Sequence, residues 1–152
     1  MRPIGFACLF LLSIPACDAG GPVAPRPSVR LDVIESLLHT SAATGRTTLA
    51  TRVMVRNPTF ISVEPILCAF RLQRIVGEEA RVTLAQTECG GSWSFVVPPH
   101  TDIEHSFSVT LPAGDSGAGA EYVIGIPIIL EGERTSRTFE TERFTPEVFR
   151  PH

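Results

Sequence analysis

The side chains that could perform covalent or acid–base chemistry are few and poorly grouped. Serines stand beside glycines in "GGSWS" and "SGAG". A nucleophile elbow needs G-x-S-x-G on a sharp strand-to-helix turn, which exposes the hydroxyl beside a base. Neither stretch has that pattern, and Ser and Gly in loops serve turn geometry. His105 stands on the apolar side of the alternating run "DIEHSFSVTL", where a histidine reads as a core or edge residue rather than a base. Glu78-Glu79 and the pair Glu140 and Glu142 read as solvated charges of turns and outer faces. Cys68 and Cys89, 21 positions apart, and the scattered His39, His100 and His105 lack zinc-ligand spacing. All thirteen basic residues are Arg, so no lysine amine is available for Schiff-base chemistry. Phosphate loops and cofactor fingerprints are absent. The expectation is a protein with no catalytic residues, no metal and no cofactor.

What remains is contact chemistry. Trp93 is the single Trp and follows Cys89 by four residues. It either packs against the cysteine pair or anchors a partner from an exposed loop. The loops "GGSW" and "PAGDSGAGAEY" are the other contact candidates, because binding residues sit on loops held by a rigid scaffold. Trp93 and Tyr122 are thus the candidate binding residues.

The N-terminus, "MRPIGFACLFLLSIPAC", has one basic residue, Arg2, and then an uncharged apolar segment from Ile4 to Ala16. As a helix that segment would span about 20 Å, short of the ~30 Å hydrocarbon core. Basic start, apolar middle and small residue before a cut make a secretory signal peptide. "SIPAC" resembles the lipobox of bacterial lipoproteins: Ile14 at −3, Ala16 at −1, then Cys17, with Pro15 the unusual member. The resemblance implies cleavage before Cys17 and acylation of its thiol and new amino group. At about 0.8 kcal/mol per buried CH₂, two or three chains would hold the protein on a membrane. The alternative is an ordinary secretory cut near Ala16 or Ala19. Residues 1–16 are then the leader, and 17–28 the lipidated cysteine with a Gly/Pro/Ala-rich tether.

With Cys8 removed and Cys17 acylated, Cys68 and Cys89 remain as one pair in an oxidising compartment. They read as a disulfide, with buried free thiols as the alternative. The formal charge is −3 for the chain and −4 without the leader's Arg2, which argues against nucleic acid or an anionic membrane as an electrostatic partner.

From Val29 onward short alternating segments are separated by turn residues. Val29, Leu31 and Val33 alternate with Arg30 and Asp32; Leu49, Thr51, Val53 and Val55 alternate with Ala50, Arg52, Met54 and Arg56. Asn57-Pro58 ends the second run, since proline cannot donate to a ladder. Ile103, Phe107, Val109 and Leu111 form one side of the clearest strand. Tyr122, Ile124, Ile126, Ile128 and Leu130 form one side of another, and "EGER" turns it into a hairpin. "RLDVIESLLHT" also suits a helix through Ile34, Leu37 and Leu38 but is assigned as a strand. The fold class is all-β: an antiparallel β-sandwich of seven or eight strands over residues 29–146, with 147–152 as a tail.

Residues 47–130 resemble the Ig-like domains of small exported bacterial lipoproteins, including those like the bacterial intracellular proteinase inhibitor. The carriers are a strand ending in Asn ("VMVRN"), a proline turn ("VPPHT") before "FSV", and "GAGAEY" opening a late strand. The turn's usual Pro-Gly is Pro99-His100 here. The resemblance implies an Ig-like fold. The functional expectation is a lipid-anchored, non-enzymatic binding or structural module of the cell envelope, on the periplasmic side or the cell surface, with an unidentified envelope protein as partner. The alternative is a proteinase inhibitor acting through "ECGGSW" or "PAGDSGAGA".

Overall fold

In the computed structural model, residues 28–78, 80–87, 89 and 95–149 are described. The signal peptide, Cys17, nearly all of the tether, Trp93 and residues 150–152 lie outside them. The described residues form nine strands and no helix: β1 (Arg30–Thr40), β2 (Thr47–Asn57), β3 (Val63–Pro65), β4 (Arg71–Val76), β5 (Ala80–Gln86), β6 (Thr101–Thr110), β7 (Tyr122–Leu130), β8 (Arg137–Glu140) and β9 (Glu147–Val148). One sheet has the order β6-β2-β1-β9. In the other, β7 is central. Gly125 pairs with Arg71 of β4 and Glu140 of β8, and Ile128 with Pro65 of β3 and Arg137 of β8. One edge of β7 therefore carries β4 and then β3, the opposite edge carries β8, and β5 lies outside β4.

The expected β-sandwich is present, and the alternating runs give its two inner faces. Leu31, Leu38, Leu49, Val53, Val55 and Phe107 of the first sheet share one buried cluster with Leu72, Tyr122, Ile124, Ile126 and Ile128 of the second. The strand count exceeds expectation because of two short pieces. Pro65 ends β3, and a turn separates it from β4, so "ISVEPILCAFRLQRIV" holds two strands rather than one. Glu147 and Val148, expected as tail, pair parallel to Leu37 and Leu38 of β1.

The helix-like stretch in β1 has a specific cause. Its register against β2 slips between Val33 and Glu35, leaving Ile34 unmatched and 43% exposed. A bulge inserts one residue and inverts the alternation beyond it. Without it Glu35 would point into the core; with it Ser36 and Leu38 point inward and Glu35 meets Arg52 at 2.7 Å. Arg52 also reaches Glu104 of β6 at 2.9 Å, and Arg56 likewise joins Asp32 to Asp102. The middle strand thus carries two arginines, each clamped between carboxylates of both neighbours. These pairs are exposed and screened by solvent, so they add little stability; what they match is the register.

The registers define the two ends of the sandwich. Arg30 faces Arg56, and Asn57 faces Thr101, so the chain enters the domain at the end holding the β2–β3 loop and the start of β6. The other end holds the β1–β2 turn, the β4–β5 turn and the long loop between β6 and β7.

Candidate functional site

Cys68 and Cys89 form a disulfide with a Cα–Cα distance of 5.5 Å. Arg71 and Gln86 are the last ladder pair before it, and the Thr87 amide donates to the Phe70 carbonyl at 3.1 Å. The bond therefore closes the base of the β4–β5 hairpin, and β5 is otherwise an exposed edge strand.

That hairpin frames the concave site at the end remote from the chain's entry. Arg74 lies opposite both Val82 of β5 and Tyr122 of β7. Directly opposed residues point to the same side of a sheet. Arg74, Val76 and Val82 therefore continue the inward face that begins with Leu72, beyond the point where the core covers it. The loop at residues 112–121 bounds the other side. Together they enclose an open depression of about 790 Å³, lined by Val76, Val82, Leu84, Ala120, Arg74 and Asp115 among others.

One carboxylate fastens the loop. Asp115 accepts from the Arg74 guanidinium at 2.9 Å through one oxygen and from the Gly117 amide at 2.9 Å through the other. Gly117 has φ of 65°, and a Cβ there would lie 2.8 Å from the Tyr122 hydroxyl and 2.9 Å from Leu111. The loop is thus held down at Leu111, Gly117 and Ala120 over the end of the core, while Pro112, Ala113 and Gly114 face solvent.

Tyr122 is corrected by this arrangement. It is 0% exposed and packs against Phe144 with ring centroids 6.0 Å apart. It occupies the inward parity of β7 with Ile124 and Ile126, so it supports the loop from below and offers no surface to a ligand. Burial raises its phenol above the usual value, with Asp115 adding to the effect. Its hydroxyl makes no hydrogen bond among the described residues. The alternation of "EYVIGIPIIL" already carried this information.

At the entry end, the β2–β3 loop and residues 95–100 form an apolar tip missed by the strand reading. Phe60 is 80% exposed and Val96 61%, with Ile61 and Phe95 also exposed. Asn57 holds both segments. Fully buried, its amide donates to the carbonyls of Ile61, Val97 and Pro98 at 2.9–3.1 Å, and its oxygen accepts from the Thr59 amide and hydroxyl. The sequence signal was present: "PTFIS" and "FVVPP" place large apolar residues between turn formers, outside any alternating run. His105 faces Val53 and meets Phe107 edge-on at 4.7 Å, and burial lowers its pKa below the usual histidine value. It is a core-side residue, as its parity indicated. Among the described residues no three His, Cys, Asp or Glu side chains gather to hold a metal ion.

No protein-family model matches the chain, and no curated protein matches it. Solved structures do, among them the following two. A Northeast Structural Genomics Consortium target is 12% identical, with TM-score 0.55, covering 82% of this chain and 90% of its own. The putative ApaA protein from Bordetella pertussis is 13% identical, with TM-score 0.56, covering 83% of this chain and 98% of its own. What they share with it is the fold. At these identities the likeness extends to the arrangement of strands alone, and Arg74, Asp115 and the apolar tip are argued from this chain's own residues.

Proposed function

We propose that the protein is an exported, lipid-anchored binding module of the cell envelope, acting by contact rather than by catalysis. The observation that carries this reading is the depression between the β4–β5 hairpin and the 112–121 loop. Its walls are mainly apolar, with the Arg74–Asp115 pair at one side, on a scaffold fixed by a disulfide. Ligand sites combine an apolar lining with a few placed polar groups in this way. The partner is an envelope protein presenting an apolar side chain or strand edge to Val76, Val82 and Leu84. The lipobox-like "SIPAC" supplies the anchor on Cys17.

Two measurements test the reading. The intact mass of protein from the membrane fraction should start at Cys17 with acyl chains. Crosslinking in whole envelopes should yield a defined partner with the native chain and none with Val82→Asp, which is exposed and leaves the core intact. An unprocessed chain, or equal crosslinking by both proteins, would overturn the proposal.

A further inference from the structure

We propose that the apolar tip at the entry end rests in the interfacial layer of the same bilayer that carries the Cys17 lipid. This inference rests on the lipid-anchor reading above. Four features point to a bilayer as the occupant. First, residues 58–62 and 95–100 contain no Asp, Glu or Arg, so the tip's own side chains take no full charge out of bulk water. Second, Phe60, Ile61, Phe95 and Val96 are exposed together. Third, the tip is preorganised: Asn57 ties its two segments, and Val63 and Val97 exchange backbone hydrogen bonds at 3.0 and 2.7 Å. Fourth, it shares an end with the point of entry, since Arg30 faces Arg56, the residue before Asn57.

Chain length makes the last feature quantitative. Twelve residue steps separate Cys17 from Val29. A chain of that length has a root-mean-square span of about 20 Å as a flexible coil and about 37 Å if polyproline-like, and it reaches at most about 40 Å when fully extended. The lipid thus confines the tip to the bilayer's vicinity, where even a weak apolar contact is populated by effective concentration. Carboxylates bordering the tip have partners: Glu64, Glu131 and Glu133 line a groove beside Val96, and Glu133 pairs with Arg137. Glu131 accepts from the Ser62 amide at 2.8 Å, and Asp32 and Asp102 flank Arg56. Seating the tip turns the depression at the opposite end away from the membrane, toward a partner.

The test uses full-length protein purified from membranes and reconstituted into phosphatidylcholine vesicles with brominated acyl chains. Trp93, two residues before Phe95 in sequence, is the only Trp and reports proximity to bromine by quenching. Hydrogen exchange at residues 58–62 and 95–100 gives a second readout. The expected result is quenching and slowed exchange, both lost in Phe60→Asp with Val96→Asp and both kept in Val148→Asp at the opposite end. Lipidated protein that shows neither effect, or a tip variant behaving as the native chain, overturns the inference while the anchor stands. A second copy or a protein partner would then cover the tip, separated by sedimentation at increasing concentration. A mass without acyl chains removes the anchor and the inference together.

Discussion

The exposed ring of Phe60 stands edge-on to His100, with centroids 4.9 Å apart, and His100 holds a positive φ of 56°. Among the described residues it is the single non-glycine in that region. The left-handed backbone at this proline turn sets the His100 ring against Phe60 at the tip. Left-handed geometry costs an ordinary L-residue about 1–2 kcal/mol, less for Asn. His100→Val should therefore destabilise the domain by about that amount in urea unfolding, while His100→Asn stays within about 0.5 kcal/mol of native.

Asn57 should be the most sensitive polar residue. Asn57→Ala removes donors to three carbonyls and should cost about 2–3 kcal/mol. Asn57→Asp should cost at least as much, because a carboxylate would then face the same three carbonyl oxygens. Equilibrium unfolding distinguishes these from the near-neutral effect expected of a residue that merely ends a strand.

Gly117 and Gly119 both have positive φ, yet only Gly117 is crowded. Gly119→Ala should cost about 1 kcal/mol from backbone strain, whereas Gly117→Ala should cost about 2–4 kcal/mol as strain and overpacking add. Comparable melting temperatures for the two variants would mean that the loop lifts freely from Tyr122.

Removing the disulfide with Cys68→Ser and Cys89→Ser should cost about 2–4 kcal/mol. The loss should be concentrated in β5, which has one strand neighbour among the described residues, and should appear as faster hydrogen exchange at Ala80–Gln86.

His105 gives the domain a mild acid sensitivity. Burial lowers its folded-state pKa below the unfolded value of 6.5, so the unfolded chain binds the proton more readily. Stability is full above about pH 6.5 and falls as pH drops through the folded pKa. Stability measured from pH 8 to 5 should decline for the native chain and stay flatter for His105→Leu; parallel declines would assign the sensitivity elsewhere.

The sandwich was legible because its strands alternate with period two, and one buried face forces that alternation. Leu49 to Val55 and Ile103 to Leu111 show it plainly. The pairing of Cys68 with Cys89 was legible for a different reason: once Cys8 and Cys17 are assigned to the leader and lipid, two thiols remain. Tyr122 was misassigned by reading its loop rather than its strand parity.

Pairing across the chain decided the rest. Nothing local in "VIES" shows that Ile34 is the extra residue, because a bulge exists only relative to a neighbouring strand. A two-residue parallel strand such as β9 has too few positions to show any period. The depression requires Arg74 and Asp115, 41 residues apart, to meet across a loop, and the tip requires Asn57 to reach Val97. Sequence fixes which faces are apolar, since that is a property of each short segment; tertiary structure alone sets which apolar residues stay uncovered, since that depends on what every other strand has already buried.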